Sequence, residues 1–278
     1  MYFNNKKEAL DFLKQERFNS NYKHCSNLKT KLEKVKKDYE MQFLLECINQ
    51  YKIYDENFDT KNFEKMAKTW NKYLIYIRKN NKNKDNKNIF SSQSKFESTV
   101  LEESIFRMFF NLTDDIIKIG GTKAYSNIYF APNDFNNFKN ETIFKFNTKD
   151  QDFAIYKEVE INIDNKKEKA SIPIVAIECK TYLDKTMLEG SIATAEKIKN
   201  GNPYCKFFIA TERYEVDLNV DIRSTRIDQI YVLTKSKKHC CENIKQDVLE
   251  LLYNDIIKYL NSNWSNVEKN IYEKGIIF

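Results

Sequence analysis

Leu, Phe, Tyr and Ile recur three and four residues apart through residues 5–17, 25–52 and 60–79, with Lys and Glu filling the positions between. That spacing lines one face of a helix, so the pattern predicts three helices that no proline interrupts. KNNKNKDNKN, residues 79–88, has no apolar residue and reads as a solvated linker or loop. It divides a helical N-terminal region, 1–88, from a second unit, 89–278. SSQSKFESTVLEESIFRMFFNL then opens with serines suited to capping and continues with Phe96, Val100, Leu101, Ile105, Met108 and Leu112 at helical spacing, which predicts a largely buried helix.

Beyond this helix the period changes to two. KIGGTKAYSNIYFAPNDF suggests a short strand, a glycine turn and irregular chain, whereas DFAIYKEVEINI and IPIVAIECKTY are strand-like runs joined by the polar DNKKEKA. KTMLEGSIATAEKIKN is helical, YCKFFIATE and RIDQIYVLT are strands, and CENIKQDVLELLYNDIIKYLNSN is an amphipathic helix. The order defines an α/β protein, a mixed sheet flanked by helices with a helical region ahead of it.

Composition narrows the function. A chain of 278 residues that is 41% hydrophobic can bury a full core, and no apolar run approaches the length that spans a bilayer. With no secretory pattern at its start, the expected location is cytoplasmic. The six cysteines form no CxxC pair, and His24 and His239 lie far apart, so neither a zinc site, a disulfide framework nor an HNH nuclease centre is indicated. Five glycines leave no phosphate-cradling GxxxxGK loop, which argues against ATP-driven chemistry. The net charge of +6 permits attraction to phosphate without demanding it, and the N-terminal lysines read as a solvated face. Arginine is the scarcer cation: Arg213, Arg223 and Arg226 are half of the chain's six.

Within the predicted hairpin, Glu178 and Lys180 share a face of an otherwise apolar run. A turn centred on Asn165 puts Asp152 opposite Glu178 and Asp150 opposite Lys180. Cross-strand carboxylates about 5 Å apart repel unless a cation joins them, and an oxygen-only site left partly open suits Mg²⁺. Asp150 is the alternative to Asp152, and Asp134 a poorer rival. The plain alternative, a surface salt-bridge cluster, fits badly with charges at the edge of a buried sheet.

Asp152, Glu178 and Lys180, read as QDFAIYKEVE followed by IECKTY, resemble the PD-(D/E)XK nuclease superfamily, whose core runs helix, hairpin, helix, strand. The resemblance covers roughly residues 95–235; Gln151 stands where the family often has proline. The added helical region is similar to type II restriction endonucleases, and IECKTYLDKTMLEGSIATAEKIK looks like the BbvCI-type group. The resemblance implies that Asp152, Glu178 and the Cys179 carbonyl hold Mg²⁺ against a scissile phosphate, while Lys180 orients or deprotonates the attacking water. It also implies a supporting carboxylate from the preceding helix, for which Glu103 is preferred over Glu97 and Glu102. Double-stranded DNA is then the substrate, with Arg213, Arg223, Arg226 and Gln229 as candidate readers of base edges. A two-fold homodimer on DNA is expected, a heterodimer being the alternative. The competing functions are a structure-specific repair or defence nuclease of the same fold and a catalytically silent DNA-binding subunit.

Overall fold

The computed structural model describes residues 2–83, 85–163, 166–237, 243–262, 264 and 267–275. Four helices come first: α1 (Lys6–Leu13), α2 (Lys23–Lys34), α3 (Asp38–Asn57) and α4 (Phe63–Asn80). They are followed by α5 (Ser98–Phe109), β1 (Ile117–Phe130), α6 (Phe135–Asn140), β2 (Phe144–Ile163) and β3 (Lys166–Lys180). The chain continues through α7 (Lys185–Gly201), β4 (Lys206–Arg213), β5 (Gln229–Ser236), α8 (Gln246–Leu260) and α9 (Val267–Lys274).

The sheet has the order β1-β2-β3-β4-β5, antiparallel from β1 to β3 and parallel from β3 to β5. Alternation along β3 sends Val175, Ile177 and Cys179 into a core shared with α5, α8 and the N-terminal helices, while Ala176 joins Leu188, Ala195 and Ile198 of α7 on the other face. Fully burying side chains such as Trp70, Tyr51, Phe96 and Phe153 contributes about 1.5–3 kcal/mol each.

Three expectations are corrected. Residues 25–52 form two helices, because Val35 takes an extended conformation after α2 and α3 begins only at Asp38. The linker 79–88 is not wholly solvated: Asn81 is buried and its side chain bonds both backbone polar groups of Phe90. One apolar core therefore runs across residue 88, from the N-terminal helices into α5 and the sheet. Finally, the glycine pair at 120–121 is no turn but lies inside the single long strand β1, and the hairpin strands extend to Phe144 and Lys166.

One bulge sets the hairpin register, and another lies where β1 pairs with β2. Phe153 pairs with Ile177 and Ile155 with Val175, as a turn at Asn165 requires; then Tyr156 pairs with Pro173, leaving Ile174 unpaired, and towards the tip the register is displaced by one. On the other edge, Gly120 pairs with Ala154 and Thr122 with Gln151, so Gly121 alone faces Asp152 and Phe153. Bulges bend a strand and re-aim its side chains, and the second one falls on Asp152. Cys25, Cys47, Cys179 and Cys205 are buried free thiols; Cys240, Cys241 and His239 lie outside the described residues. Among the described residues no helix is long and apolar enough to cross a membrane.

Candidate active site

At the end of β3 Glu178 projects with Ala176 towards α7, where the Ser191 hydroxyl donates to its Oε2 at 2.5 Å. Lys180 Nζ lies 3.5 Å from the same oxygen. From β2, Asp152 Oδ2 accepts the Cys179 backbone N–H at 2.9 Å, which brings both carboxylates to one edge of the sheet. Burial raises the Asp152 pKa, against the lowering effect of the Cys179 N–H and Lys180. The Lys180 pKa is raised as well: burial opposes the charge, but Glu178 and Asp152 outweigh it.

Glu102, on α5, completes the group. Burial and the neighbouring Asp152 push its pKa up to about 7, while Lys95, Lys23 and Lys180 pull it down. Carboxylates crowded and partly desolvated in this way call for a cation. Among the described residues no group of three or more His, Cys, Asp and Glu side chains is placed to hold a metal by itself. Two carboxylates, each with one oxygen already held by a hydrogen bond, instead fit a hard cation that takes its remaining ligands from backbone, water and substrate.

Glu103 points the other way. It is fully buried, accepts the His24 and Cys25 N–H groups and the Tyr51 hydroxyl, and pairs with Arg107 at 2.9 Å. The preference for Glu103 is therefore corrected: neighbours on a helix face different directions, and the one that faces the hairpin is Glu102. Glu97 pairs with Arg78, Asp150 is exposed, and Asp134 caps α6.

The four proposed readers do not form one surface. Arg213 ends β4 near the site, paired with Glu215 and beside the Tyr182 ring. Arg223 is exposed and paired with Asp221, and with Gln229 it lines a cavity of about 640 Å³. Arg226 bonds Asn200 near the C-terminus of α7, at the far end of the parallel strands from Lys180. The physical cause is parallel pairing: residues 214–228 must carry the chain back to the start of β5, so they straddle both ends of the sheet. Sequence reasoning also missed Ser191, Lys23 and Lys95. Ser191 alone left a signal, as a polar residue in phase with Leu188, Ala195 and Ile198 on the buried face of α7.

A hairpin carrying Asp152, Glu178 and Lys180, continued by a helix into parallel strands, defines the PD-(D/E)XK nucleases. The profile of the Bpu10I restriction endonuclease family matches residues 93–268, and the chain belongs to that family. It is a type II site-specific DNA endonuclease of BbvCI-like architecture, from a class of enzymes that is generally metal-dependent. A solved structure described as the native BbvCI A2B2 tetramer is similar in fold, with a TM-score of 0.61 and 20% identity over 94% of this chain and 98% of that one. No curated protein matches the sequence.

Proposed function

We propose that each chain hydrolyses one strand of duplex DNA at a Mg²⁺-assisted centre built from Asp152, Glu178, the Cys179 carbonyl and Lys180, with Glu102 in the supporting position. The observation that supports this reading most is the Asp152–Cys179 bond, which ties the two halves of the hairpin together where the carboxylates meet. Asp152 and Glu178 would hold the ion, which when bound supplies Lewis acidity and neutralises charge developing on the scissile phosphate. Lys180, whose ammonium lies beside Glu178, would orient the attacking water or help to deprotonate it. Ser191 holds Glu178 in one rotamer. DNA in the cytoplasm is the expected encounter.

Cutting both strands in one encounter needs two such sites, and two-fold symmetry supplies them most simply as a homodimer. The A2B2 composition of the BbvCI neighbour supports a second reading, in which the other site belongs to a different chain. The test of the centre is incubation with long mixed-sequence DNA and Mg²⁺. Discrete fragments are expected from the natural protein, while Asp152→Ala and Glu178→Ala bind DNA without cutting it; near-normal cleavage by either variant would remove that residue from the centre.

A further inference from the structure

The N-terminal helices carry a basic groove that the catalytic centre leaves unused. On α2, Lys23, Ser26, Asn27, Thr30, Lys31 and Lys34 follow one another at offsets of three, four, seven, eight and eleven, which places them within roughly 140° of arc at the helical turn of ~100° per residue. They line a cavity of about 550 Å³ together with Phe90 and Ser94. Glu40, also on its wall, is tied to Lys37. Among the described residues Lys23, Lys31 and Lys34 have no carboxylate within ion-pair distance, although many other lysines of the chain are paired. Lys31 is nonetheless held in place, its ammonium 4.4 Å from the Phe90 ring centre.

One end of the groove opens onto the catalytic centre. A Cβ on Gly121 would lie 3.3 Å from Lys23 Nζ and 3.3 Å from the Asp152 carbonyl oxygen, and Lys23 is among the cations that lower the Glu102 pKa. Gly120, at φ +124°, gives the same room to Asn21. The start of α2 is itself fixed, because Glu103 accepts the His24 and Cys25 N–H groups.

We propose that this face of α2 is a track for the DNA phosphates flanking the scissile one, with Lys23 at the catalytic end and Lys34 at the distal end. The proposal rests on the nuclease reading and assigns it a substrate-binding surface. From Lys23 to Lys34 the helix rises about 16 Å at ~1.5 Å per residue, room for several successive phosphates of one strand. Hydroxyl and amide groups between the lysines supply further donors, and such contacts position a duplex without reading its sequence.

The test is binding to a mixed-sequence 30-base-pair duplex in metal-free buffer containing EDTA, across a range of salt. Each lysine that neutralises a phosphate adds about 1 to the slope of log affinity against log salt, so Lys34→Gln should lower the slope by about 1 and Lys31→Gln/Lys34→Gln by about 2. A loss of affinity with the slope unchanged would reflect damage to the fold and overturns the track. So does unchanged affinity. Lys34 is exposed, which keeps its variant informative even if Lys31 also matters for packing. A natural protein that cuts mixed DNA with Mg²⁺ while the variants keep its slope sinks the track alone. If the natural protein neither cuts nor binds DNA, both readings fall.

Discussion

Glu102 and Glu103 are adjacent in sequence and opposite in use. Glu103 sits among Arg107, Tyr51 and two backbone N–H groups, so its charge is compensated on every side; Glu102 sits beside Asp152 and resists ionisation. Glu103→Gln should therefore cost about 3 kcal/mol of stability by leaving Arg107 short of a partner. Glu102→Gln should leave the melting temperature intact or raised and lower cleavage at least about tenfold. Thermal melting and cleavage rates of the two variants check this; the opposite pattern would return Glu103 to the centre. A second buried group sets acid stability. Burial, reinforced by Arg107, holds the His24 imidazole down at about 3, with its ring nitrogens against Thr99 and Tyr73. The unfolded chain titrates near 6.5, so it binds the extra proton between those values. The His24 contribution is thus complete above pH 6.5 and is lost as pH falls towards 3, amounting to about 2–3 kcal/mol between pH 7.5 and 4.5. Urea midpoints of the natural protein and His24→Asn at both pH values test it: equal losses would assign the acid sensitivity elsewhere.

The helix α7 reaches the proposed centre through Ser191, whose hydroxyl donates to Glu178. Ser191→Ala should lower cleavage at limiting Mg²⁺ about 10–100-fold, the usual effect of loosening a metal-binding carboxylate, and a Mg²⁺ titration of the cleavage rate measures it. An unchanged titration would mean that β3 alone holds Glu178. That α7 follows the hairpin was legible in the sequence, as were α5, β4, β5 and α8, because their apolar spacing is unbroken. That Asp152 comes to lie beside the Glu178 end of β3 was legible because pairing across a hairpin is local. The break after α2 was not, for Val35 is neither glycine nor proline and only tertiary packing selects its extended backbone. Gly120 and Gly121 read as a turn, while the structure uses them to admit Asn21 and Lys23 against β1. Which of two neighbouring glutamates faces the hairpin depends on where the N-terminal helices dock, and no local pattern records that.

For the molecule as a whole, the core that runs from α1–α4 into the sheet makes the N-terminal helices part of the same body as the catalytic centre. They can therefore position DNA against it, in line with the groove along α2. One centre per chain predicts the product. If identical chains pair on DNA, supercoiled plasmid should pass directly to linear form and sizing chromatography with DNA should show two chains. A chain that elutes alone and yields only open circles would rule out the homodimer and call for a partner of different sequence.

The bulge that leaves Ile174 unpaired has a genetic consequence. It works like a frameshift within the hairpin: the tip is counted in one frame and the catalytic end in the next, and Ile174 is the inserted letter. Deleting that single codon would close the bulge and leave Glu178 opposite Asp152, whereas adding one residue between Val175 and Glu178 would bring Ile177 opposite Asp152 and turn Glu178 onto the wrong face, a null allele with every charged residue still present. Removing one residue elsewhere in β3, between Pro173 and Glu178, should suppress that insertion, so that its intragenic revertants would cluster in that short interval.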